Sequence, residues 1–217
     1  MKGITEELAE VQLNLKGTSW TNNEELDQNG GILLKNVVDG SLLVRPKRES
    51  NDVVRYKKRM KQVADNSNAQ VPGSIETYNY PDYAYYHRGV VKQVIEKAIG
   101  RPLYPTYFYD RFYLQHHALP PHTDRDACEI SASLLISTTL TEPWPLYVVK
   151  PFDDLSDINA EMYNATDKDL IVYKGTECIH WRDNMPRGDH THHQIFFHYV
   201  LQDGNRAFCA FDNGRVD

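Results

Sequence analysis

The chain has 217 residues, of which 41% are hydrophobic, and its formal net charge is −6 at pH 7. This length is typical of one domain that buries most of its apolar surface, so we predict a single domain over residues 1–217. The acidic balance argues against nucleic acid as a partner, because nucleic-acid binders normally show a basic surface. No run of 18 apolar residues is present, so no membrane span is expected.

Targeting and redox signals point to a reduced, cytoplasmic chain. The first residues, Met1–Glu7, contain no apolar stretch of the kind found in secretory signals. The three cysteines, Cys128, Cys178 and Cys209, are sparse and have no CxxC spacing. This pattern disfavours both a disulfide framework and a zinc site, and we expect Cys128 and Cys178 to be small core residues.

The first hundred residues predict helical and mixed N-terminal support. Residues 1–28 are weakly patterned and predict a short helix and a loop, whereas residues 31–38 predict a buried strand. Residues 65–82 predict an irregular loop. Residues 88–99 predict an amphipathic helix, because their apolar residues recur three and four positions apart and Gly100 follows.

A basic stretch interrupts this region. Residues 45–61 contain eight Lys or Arg residues against Glu49 and Asp52. The pattern is typical of a solvated helix face. A docking surface for an anionic substrate is the alternative.

The second half of the chain is rich in short β-type runs. They are separated by Pro, Gly, Asp and Asn, and they cover residues 104–113, 130–139, 145–150, 170–173, 178–182 and 194–201. Several short strands after a helical first half indicate helices packed outside a β-sandwich or jelly roll. We therefore predict a mainly β fold with flanking helices (α+β), with the jelly-roll core over residues 101–217 and its support over residues 1–100.

One short motif carries the chemistry. In His122-Thr123-Asp124, the outer two side chains would share a face if the segment is a strand. His180 lies 56 residues later, just past an apolar run. Two imidazoles and one carboxylate form the set that holds non-haem Fe(II) on one face and leaves other positions open. The alternative is a loop hydrogen bond or helix cap made by His122 and Asp124.

The wider pattern resembles a known family. Phe112-Tyr113 is separated by eight residues from the His-Thr-Asp motif, which is followed by the run from Leu170 to Gly175, by His180, and by the segment from Gln194 to Val200. Over roughly residues 100–201 the chain resembles the Fe(II)/2-oxoglutarate-dependent dioxygenase superfamily, especially its prolyl-4-hydroxylase-like branch. The resemblance implies a double-stranded β-helix with iron at its mouth, held by the catalytic residues His122, Asp124 and His180. It also implies 2-oxoglutarate and O₂ as co-substrates.

The co-substrate residues are less clear from the sequence. The resemblance implies a Lys or Arg early in the last strand, but that place holds none. We favour Arg182, on the face of His180, for the distal carboxylate, because guanidinium pairs with carboxylate through two hydrogen bonds. Tyr113 is the expected hydroxyl donor and His193 the fallback partner. A surface salt bridge for Arg182 and a core position for Tyr113 remain open.

Three further residues are candidates for substrate binding. Arg111 shares the face of Tyr113 and could bind co-substrate or substrate, or form a structural ion pair. Arg125 follows Asp124 directly, and His198 could face the pocket or simply pack. We expect residues 190–193, which include three histidines, to be an exposed loop rather than a second metal site.

These features predict an enzyme that hydroxylates an unactivated C–H bond of an amino acid, a peptidyl residue or a small metabolite, with release of succinate and CO₂. A cupin-like metal-binding protein or isomerase is one rival, and it would need further ligands such as His116 and His117. A non-catalytic jelly-roll binding module is the second. A nucleic-acid demethylase is the third, supported only by the basic residues 45–61. The oligomeric state cannot be read from the sequence.

Overall fold

The structure is a computed structural model that describes residues 21–43, 70–150 and 159–212. The basic stretch at residues 45–61 lies outside the described residues. Within the described ranges, no helix has the length and apolar character needed to cross a membrane.

Ten strands and two α-helices make up the described fold. The strands are β1 (Gly31–Leu34), β2 (Ile75–Tyr78), β3 (Leu103–Leu114), β4 (Leu119–His122), β5 (Ile130–Thr138), β6 (Leu146–Val149), β7 (Ala160–Tyr163), β8 (Leu170–Tyr173), β9 (His180–Arg182) and β10 (Thr191–Leu201). The helices are α1 (Glu24–Asn29) and α2 (Val91–Ile99), and a π-helical turn (Tyr86–Val90) leads into α2.

The strands form two antiparallel sheets. The larger sheet has the order β1-β8-β5-β10-β3-β2, and the smaller has the order β4-β9-β6-β7. Side chains from both sheets, such as Tyr113, Leu146 and Phe196, pack into one core between them. The outer face of the larger sheet packs against α2 through Val91, Ile95 and Ile99. This arrangement confirms the predicted mainly β jelly roll with flanking helices.

The predicted amphipathic helix is confirmed, with a different start. Val91, Ile95 and Ile99 are fully buried, as expected for apolar residues four positions apart on one helix face. Gly100 ends the helix in the left-handed conformation, with φ of +66°, which glycine adopts without steric cost.

Several sequence predictions of local structure were wrong. The strand expected over residues 31–38 ends at Leu34, and the irregular loop expected over residues 65–82 contains β2. The larger sheet also includes two strands from the first hundred residues, because β1 pairs with β8 and β2 pairs with β3. Strand β4 contains Pro120 and Pro121, which lack N–H donors. It tolerates them because it lies at the edge of its sheet.

Candidate metal centre and adjoining cavity

The three predicted iron ligands converge at one edge of the smaller sheet. His122 ends β4, His180 begins β9, and the two residues are direct partners across the strand pair. Nε2 of His122 lies 3.5 Å, and Nε2 of His180 lies 3.6 Å, from Oδ1 of Asp124. The potential ligand atoms all lie within 4.8 Å of one another, so a single ion could contact all three.

Asp124 reaches this position from a turn and not from the strand. Strand β4 ends at His122, and the Asp124 N–H donates to the carbonyl of Gly175 over 2.8 Å. The expected strand alternation is therefore not what brings His122 and Asp124 together. Gly175 permits the approach, because a Cβ atom there would lie 2.4 Å from Oδ2 of Asp124.

Both histidines are oriented for metal binding through Nε2. Nδ1 of His122 lies 2.8 Å from the Pro120 carbonyl, and Nδ1 of His180 lies 2.9 Å from the Cys178 carbonyl. A carbonyl only accepts hydrogen bonds, so each Nδ1 carries a proton, and Nε2 is the nitrogen that a neutral imidazole would offer to a metal. Burial and the neighbouring His180 lower the pKa of His122, which favours the neutral form that a metal requires.

Asp124 is ionised, and its second carboxylate oxygen, Oδ2, is held by a hydrogen bond. Burial alone would raise its pKa, but the imidazoles of His180 and His122 take the pKa well below its usual range. The Ser131 hydroxyl donates to Oδ2 over 3.0 Å and also lies 2.9 Å from Nδ1 of His198. Ser131 thus holds Oδ2 away from the two proposed histidine ligands, and Oδ1 points towards them.

Arg182 is a buried cation. Its side chain is 2% exposed and donates to the Trp144 carbonyl, and the guanidinium lies 5.2 Å from the centre of the Trp144 ring. Among the described residues no carboxylate forms an ion pair with it, and its Nε has no hydrogen-bond partner. Burial lowers the pKa of Arg182 to about 10. The surface salt bridge considered from the sequence is not formed within the described residues.

Polar and aromatic groups surround this guanidinium. Tyr113 and Tyr173 are close enough to raise its pKa against the effect of burial. The Tyr113 hydroxyl accepts from Arg111 over 3.2 Å, and the Tyr173 ring packs 4.7 Å from the His180 ring. Tyr173 therefore links the metal centre to the Arg182 region. It was missed from the sequence, although its place at the end of an apolar strand is a usable signal.

The exposed loop expected over residues 190–193 was wrong, and His193 does not point towards the metal centre. Strand β10 already begins at Thr191, and neighbouring residues of a strand point to opposite faces. His193 stacks on Phe112 at 3.7 Å and lies 2.7 Å from Oδ2 of Asp110. It lies on the outer face of the larger sheet with Phe112 and Asp110, so it is not placed to serve as the fallback carboxylate partner.

His192, one residue earlier, takes the inner face instead. Its ring lies 5.2 Å from that of Trp144, and its Nδ1 lies 3.1 Å from the Thr138 hydroxyl. Burial lowers the pKa of His192 to about 3, so this histidine is neutral at physiological pH.

A cavity of about 540 Å³ opens beside the metal centre. It is bounded by residues from β2 and the segment before it, from β3, from β4 and the segment after it, and from β10, namely Gln70, Ser74, Glu76, Tyr78, Tyr107, Tyr109, Arg111, His122, Thr123, Asp124, Arg125, Cys128 and His198. All three substrate candidates, Arg111, Arg125 and His198, are therefore in its wall.

The two arginines of the wall are already paired. Arg111 is 2% exposed, and its Nε donates to Oε1 of Glu76 over 2.7 Å. Arg125 pairs with Asp212 and lies over the Tyr107 ring at 4.5 Å. Arg111 thus combines the ion pair and the cavity position that the sequence left as alternatives.

A second cluster shares Asp124 but is closely packed. Potential ligand atoms of Asp124, Cys128 and His198 lie within 4.8 Å of one another. The Ser131 hydroxyl bridges Asp124 and His198, and the Cys128 sulfur lies 3.2 Å from the Tyr107 hydroxyl. The three cysteines are free, with Cys128 and Cys178 buried as expected.

Comparison with known proteins supports the fold. No family model and no curated sequence matches the chain. Among solved structures, a Pseudomonas putida prolyl-4-hydroxylase is 13% identical with a TM-score of 0.51, over 81% of this chain and 95% of that one. The non-heme alpha-ketoglutarate-dependent epimerase SnoN is 10% identical with a TM-score of 0.60, over 89% of each chain. HygX from Streptomyces hygroscopicus, solved with nickel, 2-oxoglutarate and hygromycin B, is 11% identical with a TM-score of 0.53, over 88% of this chain and 87% of that one.

These likenesses define the class of fold. The chain has the jelly-roll fold of the 2-oxoglutarate- and Fe(II)-dependent oxygenases, as the sequence resemblance predicted. A prolyl-4-hydroxylase is among the solved structures with this fold. At 10–15% identity the likeness extends to the fold and not to a substrate.

Proposed function

We propose that the protein is a non-haem Fe(II)- and 2-oxoglutarate-dependent dioxygenase that hydroxylates an unactivated C–H bond of an amino acid, a peptidyl residue or a small metabolite. The observation that carries the proposal is the convergence of His122, Asp124 and His180, with each Nδ1 engaged by a carbonyl and each Nε2 facing the carboxylate. Two neutral imidazoles and one carboxylate are the donor set that suits Fe(II) with open positions. When bound, the iron with 2-oxoglutarate and O₂ supplies the oxidant, and succinate and CO₂ are released.

The chain also provides a receptor for a second carboxylate. Arg182 is buried without an acidic partner among the described residues, and its Nε is unsatisfied. A buried cation of this kind is costly unless a ligand supplies the opposite charge. We assign Arg182 to the distal carboxylate of 2-oxoglutarate and Tyr113 to a hydrogen bond with the same group. Tyr173, against His180, would border the path between the two sites.

The rival functions fit less well. A cupin-like site would need additional histidines, but Nδ1 of His117 accepts from the Leu114 N–H over 3.1 Å, and neither His116 nor His117 belongs to a metal-ligating group within the described residues. A non-catalytic module would have no use for the convergence of His122, Asp124 and His180.

The test is an anaerobic titration with Fe(II) and then 2-oxoglutarate, followed by visible absorption. The wild type is expected to show a weak charge-transfer band that needs both additions, and His180→Ala is expected to lose it. His190→Ala, a partly exposed histidine outside the site, is the matched control and should keep the band. Tight iron binding without a band would favour a cupin-like protein, and no iron binding would overturn the proposal.

A further inference from the structure

The cavity beside the metal centre is lined by polar groups together with the rings of three tyrosines. Each side chain in its wall carries a hydrogen-bonding or charged group, and among the described residues no leucine, isoleucine, valine or methionine contributes to it. An apolar substrate would cover these groups without replacing their bonds to water, at a cost of about 1–3 kcal/mol for each group left unpaired. The wall therefore favours a substrate that carries hydrogen-bonding groups on several sides.

The charges of the two arginines in this wall are compensated within the protein. Arg111 holds Glu76 through Nε over 2.7 Å and through an Nη atom over 2.5 Å, and Glu76 also accepts from the Tyr78 hydroxyl over 2.9 Å. Arg125 pairs with Asp212. An anionic substrate could pair with these guanidiniums only by competing with the carboxylates of Glu76 and Asp212. A cationic substrate could pair with these carboxylates only by competing with the guanidiniums. An uncharged substrate avoids both costs.

His198 adds a hydrogen-bonding requirement. Its Nδ1 lies 2.9 Å from the Ser131 hydroxyl, which also lies 3.0 Å from Oδ2 of Asp124 and 3.2 Å from the Cys128 carbonyl. Nε2 of His198 is buried without a hydrogen-bond partner among the described residues. A ligand hydroxyl can both donate and accept, so it would satisfy this nitrogen in either tautomer.

The tyrosines give the cavity a flat side. The rings of Tyr78, Tyr107 and Tyr109 are nearly parallel, with interplanar angles of 22°, 23° and 13°. Tyr78 is 41% exposed, so its ring can cover the carbon face of a cyclic ligand. The volume of about 540 Å³ lies in the range of about 300–1,000 Å³ that is typical of small-molecule sites.

We propose that the cavity binds an uncharged polyhydroxylated ring compound, such as a sugar or cyclitol, one hydroxyl of which forms a hydrogen bond with Nε2 of His198. The inference rests on the proposed function and narrows its substrate class, since a ligand placed there would lie beside Asp124 and His122 at the metal centre. His198 is the specificity-determining residue of this site.

The test uses anaerobic protein loaded with Fe(II) and 2-oxoglutarate. Binding of methyl β-D-glucopyranoside, myo-inositol, glucuronate, proline and cyclohexanol is measured by saturation-transfer NMR, and succinate release is measured after O₂ is admitted. At least one of the two neutral polyols is expected to bind and to raise succinate release above the rate without substrate. Glucuronate, proline and cyclohexanol are expected to bind at least about tenfold more weakly, as the loss of one hydrogen bond or one charge match predicts.

The variants test His198 directly. His198→Leu is expected to weaken polyol binding by about tenfold, the effect of one hydrogen bond, and His198→Gln, which restores an acceptor, should recover most of it. His190→Leu is the control and should bind as the wild type does. If the absorption band forms but neither polyol binds, or if glucuronate, proline or cyclohexanol binds best, the substrate class is wrong while the oxygenase proposal stands. If the band never forms, the proposed function itself fails.

Discussion

Replacing Arg182 separates a ligand-binding role from a structural one. Burial lowers the pKa of its guanidinium well below its ordinary value, to about 10, which corresponds to roughly 3 kcal/mol against the charged form in the folded protein at neutral pH. Arg182→Met removes this penalty, but it also leaves the Trp144 carbonyl without its donor, at a cost of about 1–3 kcal/mol. The two effects nearly cancel, so the free energy of unfolding of the ligand-free protein should change by less than about 1–2 kcal/mol.

The affinity for 2-oxoglutarate should change far more. Two charge-assisted hydrogen bonds to a carboxylate contribute about 3–4 kcal/mol together, so Arg182→Met should weaken binding by about 10²–10³-fold. Urea unfolding of the ligand-free protein and calorimetric titration with 2-oxoglutarate measure the two quantities, and Arg182→Lys should lie between wild type and Arg182→Met in affinity. Destabilisation above 3 kcal/mol with unchanged 2-oxoglutarate affinity would refute the reasoning, because it would make Arg182 a structural residue.

Three further predictions concern the metal centre and the core. Gly175→Ala places a Cβ atom 2.4 Å from Oδ2 of Asp124 and should reduce Fe(II) affinity at least about tenfold in a metal titration, whereas Gly89→Ala, with nothing within 4 Å, should not. Ser131→Ala frees Oδ2 and should weaken Fe(II) binding by about 10–100-fold; unaltered affinity would contradict its positioning role. Burial lowers the pKa of His87 to about 4. Between pH 6.5 and 4 the unfolded chain therefore binds more protons than the folded protein, and the free energy of unfolding falls as the pH falls. The expected decrease from pH 7 to pH 5 is about 2 kcal/mol. His87→Gln should lose that much less on acidification in urea unfolding, and an equal loss in both proteins would argue against it.

The sequence determined those features that depend on residues close together in the chain. Apolar spacing over residues 88–99 predicts the helix, because the 3.6-residue period needs no distant contact. The His-x-Asp spacing identifies His122 and Asp124 as candidate ligands, since few residue sets suit Fe(II). The mainly β character of the second half follows from its short runs of β-branched and aromatic residues. Each of these signals is local, so each could be predicted before any tertiary structure was known.

Other features were decided only by contacts between distant segments. Residues 75–78 form a strand because they pair with β3, and their own sequence has no strand alternation strong enough to predict it. Strand register gives the inner face to His192 and the outer face to His193, and a shift of one residue would exchange them. The absence of an acidic partner for Arg182 within the described residues is equally invisible in the sequence, where Asp183 is the adjacent residue. The pairing of strands, the face that a side chain takes and its burial all depend on which distant segments come into contact. Only the tertiary structure determines those contacts.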